Sequence, residues 1–382
     1  MEYRALGRTG LEVTAIGFGT EYLIGQAPEH IASVIQGAVD RGINYFDLFY
    51  AGASFRDAMG AAFRGRRHRV LLAAHLGSIE VNGQYGNTRE PEQAAAWFHD
   101  FLRRYETDHA DVLFVHNVDS LEDYARVMGP NGLLELAQSF VREGKARAIG
   151  FSSHVVATAQ RAVDSGQFDV LMFPINLAGH AVPGRKELFL ACLASGVGLI
   201  AMKPFGGGKL LQPERVVEVE EWRRGGQAVR LERHVPITPV QCLAYVLGQP
   251  GLSTVVPGCK NLDELGSVLS YYAAPSTEKD FAPILSDFAE YAEGECVYCN
   301  HCQPCPVGID IGRTIRLLEE SHGRPSAEQR EAYASLSAEP SGCVECGACQ
   351  DRCPFGVQTV AKIVAAAAVF ASDPSPASRA GR

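Results

Sequence analysis

The sequence lacks a long apolar run. Across 382 residues no stretch reaches the ~18 apolar residues that cross a bilayer. Leu188–Met202 and Ile363–Ala371 come nearest, and both are short and interrupted by Ser or Gly or diluted with Ala. Excess positive charge is missing too: 35 Lys and Arg against 44 Asp and Glu give a net charge of −9. That argues against a nucleic-acid partner, because phosphates need basic side chains to neutralise them. The opening Met1-Glu2-Tyr3-Arg4 lacks the basic-then-apolar layout of a signal peptide. These absences predict a cytoplasmic protein without membrane or nucleic-acid partners, and 46% hydrophobic with 21% charged residues suits a globular chain. Cysteine is scarce over residues 1–290, where only Cys192, Cys242 and Cys259 occur, while the other eight fall between Cys296 and Cys353. In a reducing compartment such a cluster points to metal ligation or catalysis before disulfides. The shift predicts domains over 1–285 and 286–372, with a disordered tail over 373–382 rich in Ser, Pro, Ala and Arg.

The first domain repeats one pattern: an apolar run, an amphipathic helix, a Gly, and the next run. Ile31, Val34, Ile35, Ala38 and Val39 share one helical face before Gly42, and Gly144, Gly166 and Gly196 punctuate later repeats. Eight strands are expected: Val13–Gly19, Asn44–Phe49, Val70–Ala74, Val112–Val115, Ala146–Phe151, Val170–Pro174, Gly198–Met202 and Thr254–Pro257. Near-continuous apolar strands alternating with helices indicate a parallel sheet buried on both faces. Eight such units fit an α/β fold of the (β/α)8 TIM barrel type better than a Rossmann sheet, and no Gly-x-Gly-x-x-Gly follows the first strand. In a barrel the residues just past each strand form the active-site face. Here they are Thr20 and Glu21, Asp47 and Tyr50, His75, His116 and Asn117, then Ser152, Ser153 and His154, Asn176 and His180, Lys203, Gly258 and Lys260. One histidine at a strand end is more often structural than catalytic; so many polar groups on one rim predict an enzyme.

Leu6-Gly7-Arg8-Thr9-Gly10-Leu11, Gly42-Ile43-Asn44-Tyr45-Phe46-Asp47, Thr107–His116, Gly144–Ser152 and Val256-Pro257-Gly258 resemble the aldo/keto reductase superfamily over residues 1 to about 270. The resemblance implies a barrel that binds NADP(H) and reduces carbonyls by hydride transfer, with an Asp, Tyr, Lys and His tetrad. Asp47 and His116 fall on two tetrad positions. Gly52 stands where the Tyr is usual, with Tyr50 two residues early, and His75 replaces the Lys. Ala74-His75-Leu76-Gly77 with Gly83-Gln84-Tyr85 is similar to an iron–sulfur subgroup in which this His is usual. It implies His75 or His116 as the acid–base group, Asp47 as its orienter, and Tyr50 or Tyr85 as the phenol. Ser152, Ser153 and Asn176 match positions that hold the nicotinamide amide. Thr20, Lys203, Gly206 and Gly207 join them as cofactor candidates, and Lys260 matches the usual partner of the 2′-phosphate.

Cys296, Cys299, Cys302 and Cys305-Pro306, with Cys343, Cys346, Cys349 and Cys353-Pro354, resemble the ligand runs of two-cluster bacterial-type ferredoxins. That resemblance implies two [4Fe–4S] clusters, one on Cys296, Cys299, Cys302 and Cys353, the other on Cys343, Cys346, Cys349 and Cys305. Zinc also takes Cys-x2-Cys pairs, but explains neither the triple run nor the trailing Cys-Pro. Helical runs at Thr314–Ser321 and Ala327–Ser335 suggest a mainly helical ferredoxin-like domain. The reading is therefore an NADP-linked iron–sulfur oxidoreductase acting on a small carbonyl or hydroxyl substrate. NAD(P)H releases electrons in pairs and each cluster passes one. A direct hand-off needs a flavin or a radical-tolerant substrate; otherwise the clusters are structural or serve an external carrier, a ferredoxin or flavoprotein. Two alternatives stand beside it: a metal-dependent lyase or isomerase using Asp47, His75 and His116, and a non-catalytic electron-transfer subunit.

Overall fold

The computed structural model describes residues 1–81, 84–211, 216–220, 228–232, 237–286, 294, 296, 302–353 and 356–371. The expected tail at 373–382, together with Gly83, Cys299 and Pro354, lies outside the described residues. The chain divides into two units, Met1–Phe281 and Ala282–Arg382.

In the first unit eight parallel strands lie side by side in chain order: β1 (Phe18–Gly19), β2 (Tyr45–Leu48), β3 (Leu71–Leu76), β4 (Ala110–Val115), β5 (Ala146–Ser152), β6 (Val170–Pro174), β7 (Gly198–Met202) and β8 (Leu252–Val256). Bridges from Ile16 to Val255 and from Gly19 to Gly258 bring the last strand back to the first and close an α/β barrel. Every residue of β2, β4 and β6 is buried, as expected of strands covered on both faces. Helices α1 (Pro28–Asp40), α2 (Ala53–Phe63) and α3 (Pro91–Arg104) follow the first three strands. The next strands lead into α4 (Leu121–Met128), α5 (Leu133–Arg142), α6 (Val156–Asp164) and α7 (Arg185–Ala194), and α8 (Pro239–Leu247) and α9 (Leu262–Leu269) complete the ring. In α1 the five residues assigned to one face are all buried, and Gly42 ends the turn at φ +90°, where glycine carries no Cβ penalty.

The run expected as one strand, Val13–Gly19, is divided. Glu12–Thr14 pairs antiparallel with Tyr3–Ala5, and only Phe18–Gly19 joins the barrel. The backbone N–H groups of Thr14 and Ala15 bond the Asn44 side chain and the Glu2 carbonyl, drawing this stretch across the barrel floor. Leu6, Leu11 and Val13 then plug the interior beneath Tyr45, Val112, Phe114 and Met172. Arg8 fixes the plug: its guanidinium donates to the carbonyls of Gly166, Phe168 and Ser195 and meets Asp169 at 3.3 Å.

Two further hairpins grow from the opposite end. Ser78–Val81 pairs with Gln84–Asn87 after β3, and Val216–Glu220 pairs with Ala228–Glu232 after β7. In the second unit α10 (Ile311–Ser321), α11 (Ala327–Ala334) and α12 (Thr359–Ala371) are the longer helices among the described residues. Asp310 caps α10, and a Ser326/Gln329 capping box starts α11. Ile309, Ile311, Ile315, Cys349 and Ile363 form its core. No helix among the described residues is long and apolar enough to cross a membrane.

Candidate active site

Adjacent strands β2, β3 and β4 deliver Asp47, His75 and His116 to one end of the barrel. The register pairs Asp47 with Ala73 and His75 with Phe114, so the three side chains step round the mouth. They form a line. His75 Nε2 lies 2.7 Å from Asp47 Oδ1, and His75 Nδ1 lies 2.8 Å from His116 Nδ1. His116 Nε2 is hydrogen-bonded in turn to the Tyr85 hydroxyl. Asp47, His75 and His116 are buried, while Tyr85 at the outer end is 44% exposed.

Aromatic rings hold the line in place. Phe114 stacks on His75 with centroids 5.0 Å apart, and Gly150 on β5 leaves the room for that ring, since a Cβ there would strike Phe114. Phe49 lies parallel to His116 at 6.3 Å and edge-on to Tyr85 at 5.8 Å. Burial first, then the neighbouring His75, Arg89 and His154, push His116 well below the ordinary histidine pKa. Burial raises the Tyr85 phenol to about 12 against the pull of Arg89.

The first of the mouth hairpins, Ser78–Asn87, positions Tyr85. Ser78 Oγ donates to the Phe49 carbonyl at 2.5 Å, and the Thr88 amide to the Gly77 carbonyl at 2.8 Å. Arg89 then grips both oxygens of Asp123 at 2.8 and 2.6 Å and donates to the Asn117 carbonyl. Tyr50 stays out of the line: its ring packs edge-on against Phe55. A Cβ at Gly52 would strike that ring and come within 2.9 Å of Glu80 Oε2, which accepts from the Ala53 amide. The space beside Gly52 is thus already filled.

The cofactor candidates fall in two groups. Ser153 Oγ donates toward Asp119, whose carboxylate also meets His154 Nδ1 at 3.1 Å; His154 Nε2 lies 3.0 Å from Lys203 Nζ. The Asn176 amide spans the Lys203 carbonyl and the Gly179 N–H. Ser152 is buried beside them, whereas the Thr20 hydroxyl is spent on the Asp47 carbonyl at 2.7 Å. The second group gathers on Tyr22, which the sequence reading missed. Lys260 Nζ sits 5.5 Å from its ring, a Cβ at Gly258 would fall 2.5 Å from that ring, and Gly208 faces its hydroxyl. Gly206, Gly207 and Gly208 all have positive φ, and the Gly206 and Gly208 amides donate within the turn to the Lys203 and Phe205 carbonyls at 3.0 and 2.9 Å. The Glu264 carboxylate accepts from the Lys260 backbone amide at 2.7 Å, fixing the strand-to-helix turn that carries Lys260.

The sequence profile of the aldo/keto reductase family matches residues 15–286. The chain belongs to the aldo/keto reductase family. It is 24% identical over 283 residues to the uncharacterised oxidoreductase YqkF of Bacillus subtilis, covering 69% of this chain and 89% of that protein. It is 25% identical over 285 residues to L-galactose dehydrogenase of Arabidopsis thaliana, covering 69% and 86%. The structure of aldo-keto reductase AKR11C1 from Bacillus halodurans, in its holo form, superposes with a TM-score of 0.61 at 22% identity over 73% of this chain and 94% of that one. The aldo/keto reductase match thus takes in the whole line from Asp47 to His116 and ends before the cysteine runs.

Those runs meet in the second unit. Cys305 from the first lines one shallow concavity with Cys343, Cys346 and Cys349 from the second. Thr359 Oγ1 donates to Cys349 Sγ at 3.1 Å, and Arg352 bonds the carbonyls of Cys302 and Pro304. Cys296 and Cys302 pack on the same isoleucine core, and Cys353 is half-buried nearby in sequence. Among the described residues no three His, Cys, Asp or Glu side chains are gathered as around a single metal ion. Asp47, His75 and His116 in particular face one another and not a shared centre.

Proposed function

We propose that this aldo/keto reductase is a nicotinamide-linked oxidoreductase of a small hydroxyl or carbonyl compound, with the line Asp47–His75–His116–Tyr85 handling the proton. The hydrogen-bonded line carries this reading: it ends in a half-exposed phenol at the barrel mouth, the one member a substrate oxygen can reach. A nicotinamide, when bound, exchanges hydride with the substrate carbon. Tyr85 would meet the substrate oxygen, His116 and His75 would pass the proton, and Asp47 would fix the imidazoles. Ser152, Ser153 and Asn176 would orient the nicotinamide amide, and the Gly206–Gly208 turn with Lys260 would hold phosphate. A relative named for L-galactose dehydrogenation is consistent with a hydroxyl substrate. Calorimetry tests the cofactor: NADPH binds, and Lys260→Ala weakens NADPH more than NADH because only the 2′-phosphate needs the ammonium. Equal loss for both removes Lys260 from the site.

The same proposal gives the second unit two [4Fe–4S] clusters that carry electrons to or from an external ferredoxin or flavoprotein. What supports it is that Cys305 of the first run lines the same concavity as Cys343, Cys346 and Cys349 of the second, the exchange of a fourth thiolate that two-cluster ligand sets use. The described part of the other set is Cys296, Cys302 and Cys353. Purified anaerobically, the protein should hold about eight iron and eight sulfide per chain. Stoichiometric zinc without iron overturns the assignment.

A further inference from the structure

The line from Tyr85 to Asp47 has a polarity. A carboxylate only accepts, so the 2.7 Å contact at Asp47 Oδ1 is made by a proton on His75 Nε2. Neutral imidazole carries one N–H, which leaves His75 Nδ1 an acceptor. The proton in the 2.8 Å contact between the two Nδ1 atoms therefore belongs to His116. His116 Nε2 is then bare and accepts from the Tyr85 hydroxyl. Every proton points inward, from the exposed phenol toward the buried carboxylate.

We infer that the line is a proton wire set to receive, in which the Asp47 carboxylate, and not a Tyr85 phenolate, is the base that takes the substrate's proton, so that at neutral pH the site is poised to oxidise a hydroxyl group. This rests on the oxidoreductase reading above. The step balances as follows. The substrate C–H bond breaks, its electron pair leaving as hydride to an oxidised nicotinamide, and the carbonyl double bond forms. The substrate O–H proton passes to Tyr85 Oη as the phenol's own proton passes to His116 Nε2. The Nδ1 proton of His116 moves to His75 Nδ1, and the Nε2 proton of His75 to Asp47 Oδ1, from which one proton is later lost to solvent.

The surroundings agree. A phenol raised to about 12 is seldom phenolate at pH 7, so a direct tyrosinate base is scarce. A proton held on His116 is opposed by burial, by His75 across the Nδ1 contact, by Arg89 beside the hairpin and by His154 past β5. Asp119 past β4 and Glu21 past β1 are the other charges that reach Tyr85. His116, the first imidazole the phenol meets, therefore rests as an acceptor at Nε2.

Two readouts test this on the full-length protein. In ¹⁵N-histidine NMR at pH 7, His75 should carry its proton on Nε2 and His116 on Nδ1. With NADP+ and a panel of aldoses and secondary alcohols, kcat/KM for oxidation should stay flat from about pH 6 to 9. With NADPH and the matching carbonyls, it should fall about tenfold per pH unit. A phenol base gives the opposite pair, oxidation rising and reduction flat. Asp47→Asn keeps an acceptor for His75 but takes up no proton. It should cost about 10²–10³-fold in oxidation and convert the flat profile to a rising one. A proton on His116 Nε2, a cationic His116 at pH 7, or a flat profile in Asp47→Asn overturns the wire while turnover itself sustains the oxidoreductase reading. No hydride exchange with any panel member overturns that reading and the inference with it.

Discussion

Tyr50 and Tyr85 both follow strand ends, and residue type alone does not choose between them. Space does. Tyr50 is turned toward Phe55, while Tyr85 is carried over the mouth to His116. Tyr85→Phe should therefore lower kcat by about 10²–10³-fold, and Tyr50→Phe should leave it within about twofold; steady-state kinetics on both variants checks this. The crowding at Gly52 also means that His75→Lys with Gly52→Tyr should not rebuild an ordinary tetrad while the Tyr50 ring remains. Asp47, His75 and His116 were readable beforehand because, although any one strand-end polar residue has a bland reading, they converge with others on one rim and align with the resembled family's pattern. Phe49, Arg89 and Tyr22 were not, since a strand-end aromatic or a loop arginine looks like core or surface until its partners are in view.

Among the elements, the Ser78–Asn87 hairpin does most to shape the candidate site, since it carries Tyr85 to His116, and it was absent from the sequence reading. Its arms are only four residues each, too short for an alternating pattern to stand out. The glycines at 77, 83 and 86 were its available signal. The hairpin's hold on the barrel rests largely on Arg89, whose side chain is 8% exposed in its bidentate pair with Asp123. Asp123→Ala removes two charge-assisted bonds and should cost about 2 kcal/mol in denaturant unfolding. Because the freed hairpin carries Tyr85, kcat should fall as well. Unchanged kcat would show that Tyr85 is held by Phe49 and His116 alone. The divided first strand has a similar origin: Val13–Gly19 is apolar throughout, and only Asn44 and Glu2, distant in sequence, bend it onto the floor.

For the whole molecule, acid should be the weak side. His116 and His180 are both held well below 6.5, chiefly by burial. His180 Nδ1 accepts from Arg185 at 2.8 Å, and a proton added to that ring would face the buried guanidinium. The unfolded chain binds protons at these two sites below about pH 6.5 and the folded chain does not. Stability should therefore drop as pH falls through that value, by up to about 1.4 kcal/mol per pH unit for each histidine. Denaturant unfolding between about pH 7 and 5 measures the slope, and a pH-independent midpoint would mean that neither ring is held neutral.

Barrel closure joins residues from opposite ends of the first unit. Ile16 pairs with Val255, and Arg8 is anchored on Gly166 and Ser195. During translation at roughly 5–20 residues per second, about 10–50 s separate the emergence of Ile16 from that of its partner. Through that interval the floor hairpin has nothing to plug, and one edge of the growing sheet offers unpaired N–H and C=O groups to any passing strand. Until Val255 emerges, the growing sheet of the newborn chain keeps one edge open, a stage of synthesis that the closed barrel no longer shows.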